Sequence, residues 1–384
     1  MTYPRPESRD QDRPDVLEVG SERPRRAAPG WLLPALIVIV IVAATVAGVA
    51  RLPGHHRVQN YPVVVTSTGR RLLGVRAGWE VFGRGPGSVV AISLAAGQVT
   101  TTQVPELAST SPDVAFIVGP HDAIIRSFDD APGYVVPDGS AARPLTGALA
   151  ADQPGPLLPG PRPGQAWVTV GSVHKSSLLL LGPDGRPTGA TARLPPGAPL
   201  PATAIPDGRG DVLLLTGDNA VYDASPTGYW RVHANIVAVG PARWLGFVCG
   251  RLYCRDVVID PATGAQRELP ASSPALEAAF AWPSLGVTSP DGQLAAVPVY
   301  TDTSALVLLI NLSTGASTRV NAPLAPSSGY QFMAWSPDSQ WLFAVGAAGR
   351  LLAISVRTGR AVSVGVPLPP LSQVAVRAAP GSGP

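Results

Sequence analysis

Cys249 and Cys254 are the only two cysteines in this 384-residue chain and the side chains best placed to react with each other. They stand in Phe247-Val248-Cys249-Gly250-Arg251-Leu252-Tyr253-Cys254-Arg255, with four residues between them and a strand-like run on either side. Thiols so placed can face each other across a hairpin, and in an oxidising compartment they pair. Closing so small a loop contributes about 2 kcal/mol on a chain-entropy model. A zinc site would need further Cys or His ligands close by, and no second pair occurs. Thiol–disulfide exchange usually uses two intervening residues rather than four. The spacing predicts a structural disulfide, with free thiols as the alternative.

Other reactive groups are sparse. His55 and His56 are adjacent, while His121, His174 and His233 are scattered among strand-like segments. Asp129-Asp130 is the one adjacent acidic pair of the larger domain and reads as an exposed loop. The chain contains no G-x-S-x-G, no H-E-x-x-H, no phosphate-binding glycine loop and no Ser-x-Asp-x-Gly-x-x-Trp turn. No serine-hydrolase, zinc-protease or nucleotide-binding site is therefore implied, and no cofactor or metal is expected. Trp79, Trp167, Trp230, Trp244, Trp282, Trp335 and Trp341 recur at similar places in the repeat described next, where a core role is expected.

The elements that would carry these residues repeat. An apolar strand, a glycine turn and a more polar strand recur seven times, as in SVVAISLAAGQVTTTQV, RDVVIDPATGAQREL and RLLAISVRTGRAVSV. The turn glycines are Gly97, Gly139, Gly185, Gly228, Gly264, Gly315 and Gly359, spaced 36 to 51 residues apart. Their mean spacing, about 44, matches the period of four-stranded propeller blades. A tight hairpin needs a residue with positive φ, which glycine supplies without steric cost. Two further strand-like runs fit between successive hairpins. In the last two repeats the first of these ends in Ser289-Pro290-Asp291-Gly292 and in Ser336-Pro337-Asp338-Ser339. Proline presets φ at the second turn position, and Asp can accept from backbone two residues on. Ile205-Pro206-Asp207-Gly208 is a looser copy.

Trp335-Ser336-Pro337-Asp338-Ser339-Gln340-Trp341-Leu342-Phe343-Ala344 resembles the WD40-like repeat of TolB-type propellers, whose core is W-S-P-D-G before an apolar strand. The likeness is good over 281–365 and degenerates toward the N-terminus. The chain as a whole resembles membrane-anchored or exported propellers of the kind common in actinobacteria. It lacks the Gly-His and Trp-Asp pairs of true WD40 repeats, so their polar network is not implied. Such a resemblance bears on fold and little on function.

The expected fold is thus all-β, a seven-bladed propeller. A pair of β-sandwiches would also show many short strands, but not seven similar hairpins at one spacing. Leu371–Arg377 resembles an innermost strand without a blade, and Gly78–Gly97 begins a blade at its second strand. The C-terminal strand is therefore expected to complete the N-terminal blade, with Leu72–Ala77 as the alternative closing strand.

Ahead of the repeats, residues 31–50, WLLPALIVIVIVAATVAGVA, carry no charge. Twenty residues at roughly 1.5 Å each match a hydrocarbon core of about 30 Å. The expected organisation is a disordered tail at 1–30, a transmembrane helix at 31–50, a stem at 51–60 and a propeller over 61–384. A cleaved signal peptide is the rival reading, with Gly48-Val49-Ala50 as its site, but its lead would be unusually long. Arg23, Arg25 and Arg26 before the segment outnumber Arg51 and Arg57 after it, which favours a cytoplasmic N-terminus and an extracytoplasmic domain. The tail, with six Arg, six Asp or Glu and five Pro, is too short for an enzyme.

Composition agrees with a β-rich chain. Proline (43) and glycine (41) together would break a helical bundle, while 45% apolar residues suffice for a core. The net charge of +3 is small and spread along the chain, so a nucleic-acid footprint is not expected. Three functions remain. The first is non-catalytic recognition of a protein, peptide or glycan in the cell envelope by a bilayer-tethered loop face. The second is a lactonase- or glycosidase-like hydrolase whose groups converge in the channel. The third, weaker, is a sensor working through a partner of the tail.

Overall fold

A computed structural model describes residues 62–75, 78–105, 114–127, 133–145, 157–172, 175–192, 203–215, 220–251, 253–270, 285–300, 305–325 and 331–378. All belong to the second of two compact units, Asn60–Pro384. Expectations for 1–60, including the apolar run at 31–50, His55 and His56, lie outside the described residues, as do Asp129, Asp130, His174 and Trp282. Among the described residues no helix is long and apolar enough to cross a membrane.

The described chain is all-β, with a single 3-10 turn at Ala347–Gly349 as its helical element. Its strands form antiparallel meanders arranged as a β-propeller, and they make six sheets. Five sheets stand alone at blade size, four with four strands and one with five, rather than the seven separate blades expected. The sixth has eight strands. Two four-stranded meanders join in it through a short parallel pairing of their first strands, Asn235–Val239 and Gly286–Thr288. That pairing needs a close backbone approach. Gly286 permits it, because a Cβ there would stand 2.5 Å from the Ala296 carbonyl oxygen and 3.0 Å from the Ala238 methyl.

The sequence pattern along each meander follows from stacking. A strand covered on both faces by neighbouring sheets is apolar throughout, as in Ala305–Asn311, ALVLLIN, where every residue but the last is buried. The outermost strand has one wet face and alternates, as in Ser317–Leu324. Buried side chains accordingly gather between sheets. Phe82, Val114 and Phe116 join the first and second; Trp167, Leu178 and Val212 join the next pair but one. The largest cluster, with Trp79, Val307 and Phe343, runs through the last two meanders into the first.

Closure is made by Gln373–Ala378, which pairs antiparallel with Trp79–Gly85 over six residue pairs and becomes the innermost strand of the first sheet. Of the alternative closing segment, the described part, 72–75, is a turn, with the Val75 N–H donating to the Leu72 carbonyl. Gly83 lets the closing segment approach, since a Cβ there would meet Leu371 at 2.6 Å. Arg377 clasps the joint. Its Nη2 donates to Glu80 at 2.6 Å and to Asp138 of the second sheet at 2.9 Å, and its guanidinium lies 4.5 Å above the Phe82 ring. An unexpected fifth strand, Val63–Ser67, adds to the outer edge of this sheet.

Candidate functional site

In every meander the first strand runs toward one end of the ring. That end carries the turns after first and third strands; the opposite end carries the remaining connections. Seven turn glycines mark the third turns, each with positive φ between 62° and 148°. At Gly97 a Cβ would stand 1.8 Å from the Arg70 carbonyl oxygen, and at Gly264 it would press on the Trp230 ring at 3.0 Å. These glycines shape the third turns, and none is among the described residues that line the channel mouth.

The first-strand turns shape a channel mouth. In Ser289-Pro290-Asp291 the Ser289 hydroxyl donates to Asp291 at 2.6 Å and accepts the Leu294 N–H at 3.0 Å. Ser336-Pro337-Asp338 repeats the arrangement, with 2.5 Å to Asp338 and 2.9 Å from the Trp341 N–H. The looser copy is shifted by two residues: Pro206 ends its strand, and Asp207 takes the hub position that Ser289 and Ser336 hold. Its Oδ1 accepts the N–H groups of Arg209, Gly210 and Asp211 at 2.7–2.8 Å.

Tryptophans pin that turn from both sides. Trp167 of the preceding sheet donates to the Gly210 carbonyl at 2.6 Å, and Trp244 of the following one donates to the Asp207 carbonyl at 2.8 Å. Trp244 stacks on Trp230 at 6.1 Å, and Trp230 donates to Asp223 Oδ2 at 3.0 Å. Asp207 and Asp223 are both buried, and each keeps one carboxylate oxygen without a partner among the described residues. Burial pushes Asp207 up to about 6, against the pull of its backbone donors. Burial, then the nearby Asp207 and Asp211 charges, push Asp223 up to about 7.

The mouth itself encloses about 520 Å³, within the usual range for a ligand cleft. Ile117, Val118, Val239, Val287, Met333 and Val376 from the innermost strands form its apolar wall. Pro161, Pro163, Pro206, Pro241 and Pro290 stiffen its rim. Arg162 and Arg209 are its charged groups; among the described lining residues there is no carboxylate and no imidazole. Arg209 already donates to the Pro261 carbonyl at 2.8 Å, so its charge is held in place. Gln331 lines the mouth with its backbone at φ 66°. No motif marks Arg162, Arg209 or Gln331: Arg209 and Gln331 meet partners from other repeats, Pro261 and Val374, and Arg162 bonds only within its own turn, to Gln165.

The cysteines lie at the opposite end. Cys249 and Cys254 are register partners in their hairpin and form a disulfide. Gly250 N–H donates to the Tyr253 carbonyl at 2.9 Å, and Tyr253 projects into solvent at 74% exposure. His121 and His233 are exposed and take no part in the mouth. Trp335 donates to the Val287 carbonyl at 3.0 Å, Trp79 packs edge-on against Phe343, and Trp341 is half-buried.

No family model and no curated sequence matches the chain. Solved structures resemble it in fold. TolB from Acinetobacter baumannii is 12% identical, covering 82% of this chain and 82% of its own at a TM-score of 0.40. Apo AztD from Citrobacter koseri is 12% identical, covering 79% and 99% at 0.46. Oligogalacturonate lyase from Vibrio parahaemolyticus is 8% identical, covering 75% and 95% at 0.43. At these identities none of them assigns an activity to this chain.

Proposed function

We propose that this chain is a non-catalytic binding propeller, tethered to the cell membrane through residues 31–50, that holds a protein, peptide or glycan partner of the cell envelope at its channel mouth. We take the eight-stranded sheet as two blades sharing a short seam, so that the ring counts seven. Support for a domain outside the cytoplasm comes from the arginine bias around 31–50 and from the paired cysteines.

The observation that carries the binding reading is the mouth lining: a stiff, apolar cleft of about 520 Å³ with two arginines and, among described residues, no proton-transfer group. Such a cleft can exclude water and hold a ligand, but it offers no acid–base pair to a scissile bond. A photo-crosslinking residue in place of Arg162, on the rim, tests it in intact cells. A discrete adduct is expected there and not at Val362, an exposed residue of an outer strand. Equal labelling at both positions, or none at Arg162, would defeat the reading.

The hydrolase reading has one observation in its favour, the buried Asp207–Asp223 pair, which titrates near neutrality. Neither carboxylate is among the residues lining the mouth. Turnover of a lactone or glycoside that is lost in Asp223→Asn while the fold persists would favour it.

A further inference from the structure

Val63–Ser67 extends the first sheet one strand beyond the four that complete every other meander. Lying so far out, it is exposed on both faces, Val64 at 50% and Val65 at 53%. The Pro62 carbonyl accepts the Gln103 N–H at 3.1 Å, and the Thr68 N–H donates to the Gly97 carbonyl at 2.9 Å, so the even-numbered residues face the sheet. Alternation along the strand then turns the N–H and C=O groups of Val63, Val65 and Ser67 outward. Among the described residues these three donors and three acceptors meet no strand.

The other outermost strands are guarded. Each carries an arginine or a proline, which discourages a further strand from adding: Pro144, Pro187, Arg231, Arg267, Arg319 and Arg360. Val63–Ser67, VVVTS, has neither and no charge, and its four β-branched residues favour extended backbone. The chain's own preceding segment is a poor occupant, because 51–60 holds Arg51, Pro53, Gly54 and Arg57. A second copy suits the edge in backbone pattern, side chains and closure. We propose that two copies of this chain pair antiparallel through Val63–Ser67, across a two-fold axis at Val65. Val65 then faces Val65 of the second copy, while Val63 and Val64 face Ser67 and Thr66, and the three outward residues exchange both of their backbone bonds. No like charges meet, and the two free edges cover each other, so the assembly closes at two. Five residue pairs bury less than the roughly 1,200 Å² of a stable interface, so the dimer is reversible, with a dissociation constant on the order of 10–100 µM. The inference is independent of what binds the mouth.

Sedimentation of the full-length chain in a density-matched detergent, from about 1 to about 300 µM, tests this across the expected range. The parent should pass from monomer to dimer. Val65→Pro removes an outward N–H and none that bonds Gln98–Gln103, so its melting temperature should hold while association weakens at least about tenfold. Val65→Lys keeps the N–H but sets two ammonium groups against each other, and should stay monomeric as well. Val65→Cys should form an intermolecular disulfide on mild oxidation, since residues paired in this way stand about 5.5 Å apart at Cα. Val362→Cys, also exposed but beside Arg360 on a guarded strand, should not. Should Val65→Pro melt lower, Val65→Lys and the two cysteine variants decide. A parent that stays monomeric throughout, a dimer that persists in Val65→Lys, or equal crosslinking of the two cysteine variants overturns the proposal.

Discussion

Replacing Asp223 with asparagine should stabilise the protein at alkaline pH and do nothing at acid pH. Asp223 is 4% exposed, its Oδ2 accepts the Trp230 indole N–H at 3.0 Å, and its Oδ1 has no partner. Its folded value near 7 stands above the ordinary 3.8, and that of Asp207 stands near 6. The folded state therefore binds more protons than the unfolded one between about pH 4 and 7, and stability falls as pH rises through that window. Below it both states are protonated and no penalty remains; above it the penalty is complete. A shift of about three pH units corresponds to roughly 4 kcal/mol if Asp223 titrated alone. Its coupling to Asp207 divides that between the pair, leaving on the order of 2–3 kcal/mol for removal of one charge. Asparagine keeps an oxygen for Trp230 and removes the buried charge. Calorimetry of parent and Asp223→Asn from pH 4 to 8 should show curves that coincide near pH 4. At pH 8 the variant should melt about 4–8 °C higher. A constant gap across the range, or a variant less stable at pH 8, would refute the account of the buried pair.

Arg377→Ala should cost about 1–3 kcal/mol, less than a fully buried pair because Asp138 is 40% and Glu80 31% exposed. Hydrogen exchange should quicken first at the amides of Trp79–Gly85, the strand it secures. Gly97→Ala should cost roughly 2–3 kcal/mol, since the new methyl meets the Arg70 carbonyl. Gly139→Ala, with similar φ but open space, should cost only about 1 kcal/mol by urea titration. The double replacement Cys249→Ser and Cys254→Ser should lower stability by about 2 kcal/mol, the entropy of one small loop. Equal urea midpoints for parent and double variant would show that the bridge adds nothing.

What could be read from sequence was local. Seven glycines at positive φ and two Ser-Pro-Asp turns are each specified by three or four adjacent residues, and the repeat spacing carried the architecture. The closing strand was legible because an unpaired apolar run at 371–377 matched a first hairpin lacking its inner strand. Three features depend on residues far apart in the chain. The seam joining Ala238 to Gly286 rests on two small residues that no motif marks. Asp207 reads as the third residue of a familiar turn, yet it serves as the first, because Trp167 and Trp244 fix its carbonyl and that of Gly210. Arg84 and Arg377 look like ordinary surface arginines until strands 289 and 297 residues away in sequence bring their partners.

The innermost strand of the first sheet is synthesised after every other described strand. A nascent chain that has already made Trp79–Gly85 must hold that strand's inner edge unsatisfied until residue 378 follows, so the ring has no stable half-built form with both ends protected. Nicking anywhere within 364–372 would free the same edge in the finished molecule. At the closing seam, order of manufacture and order of assembly thus run in opposite directions.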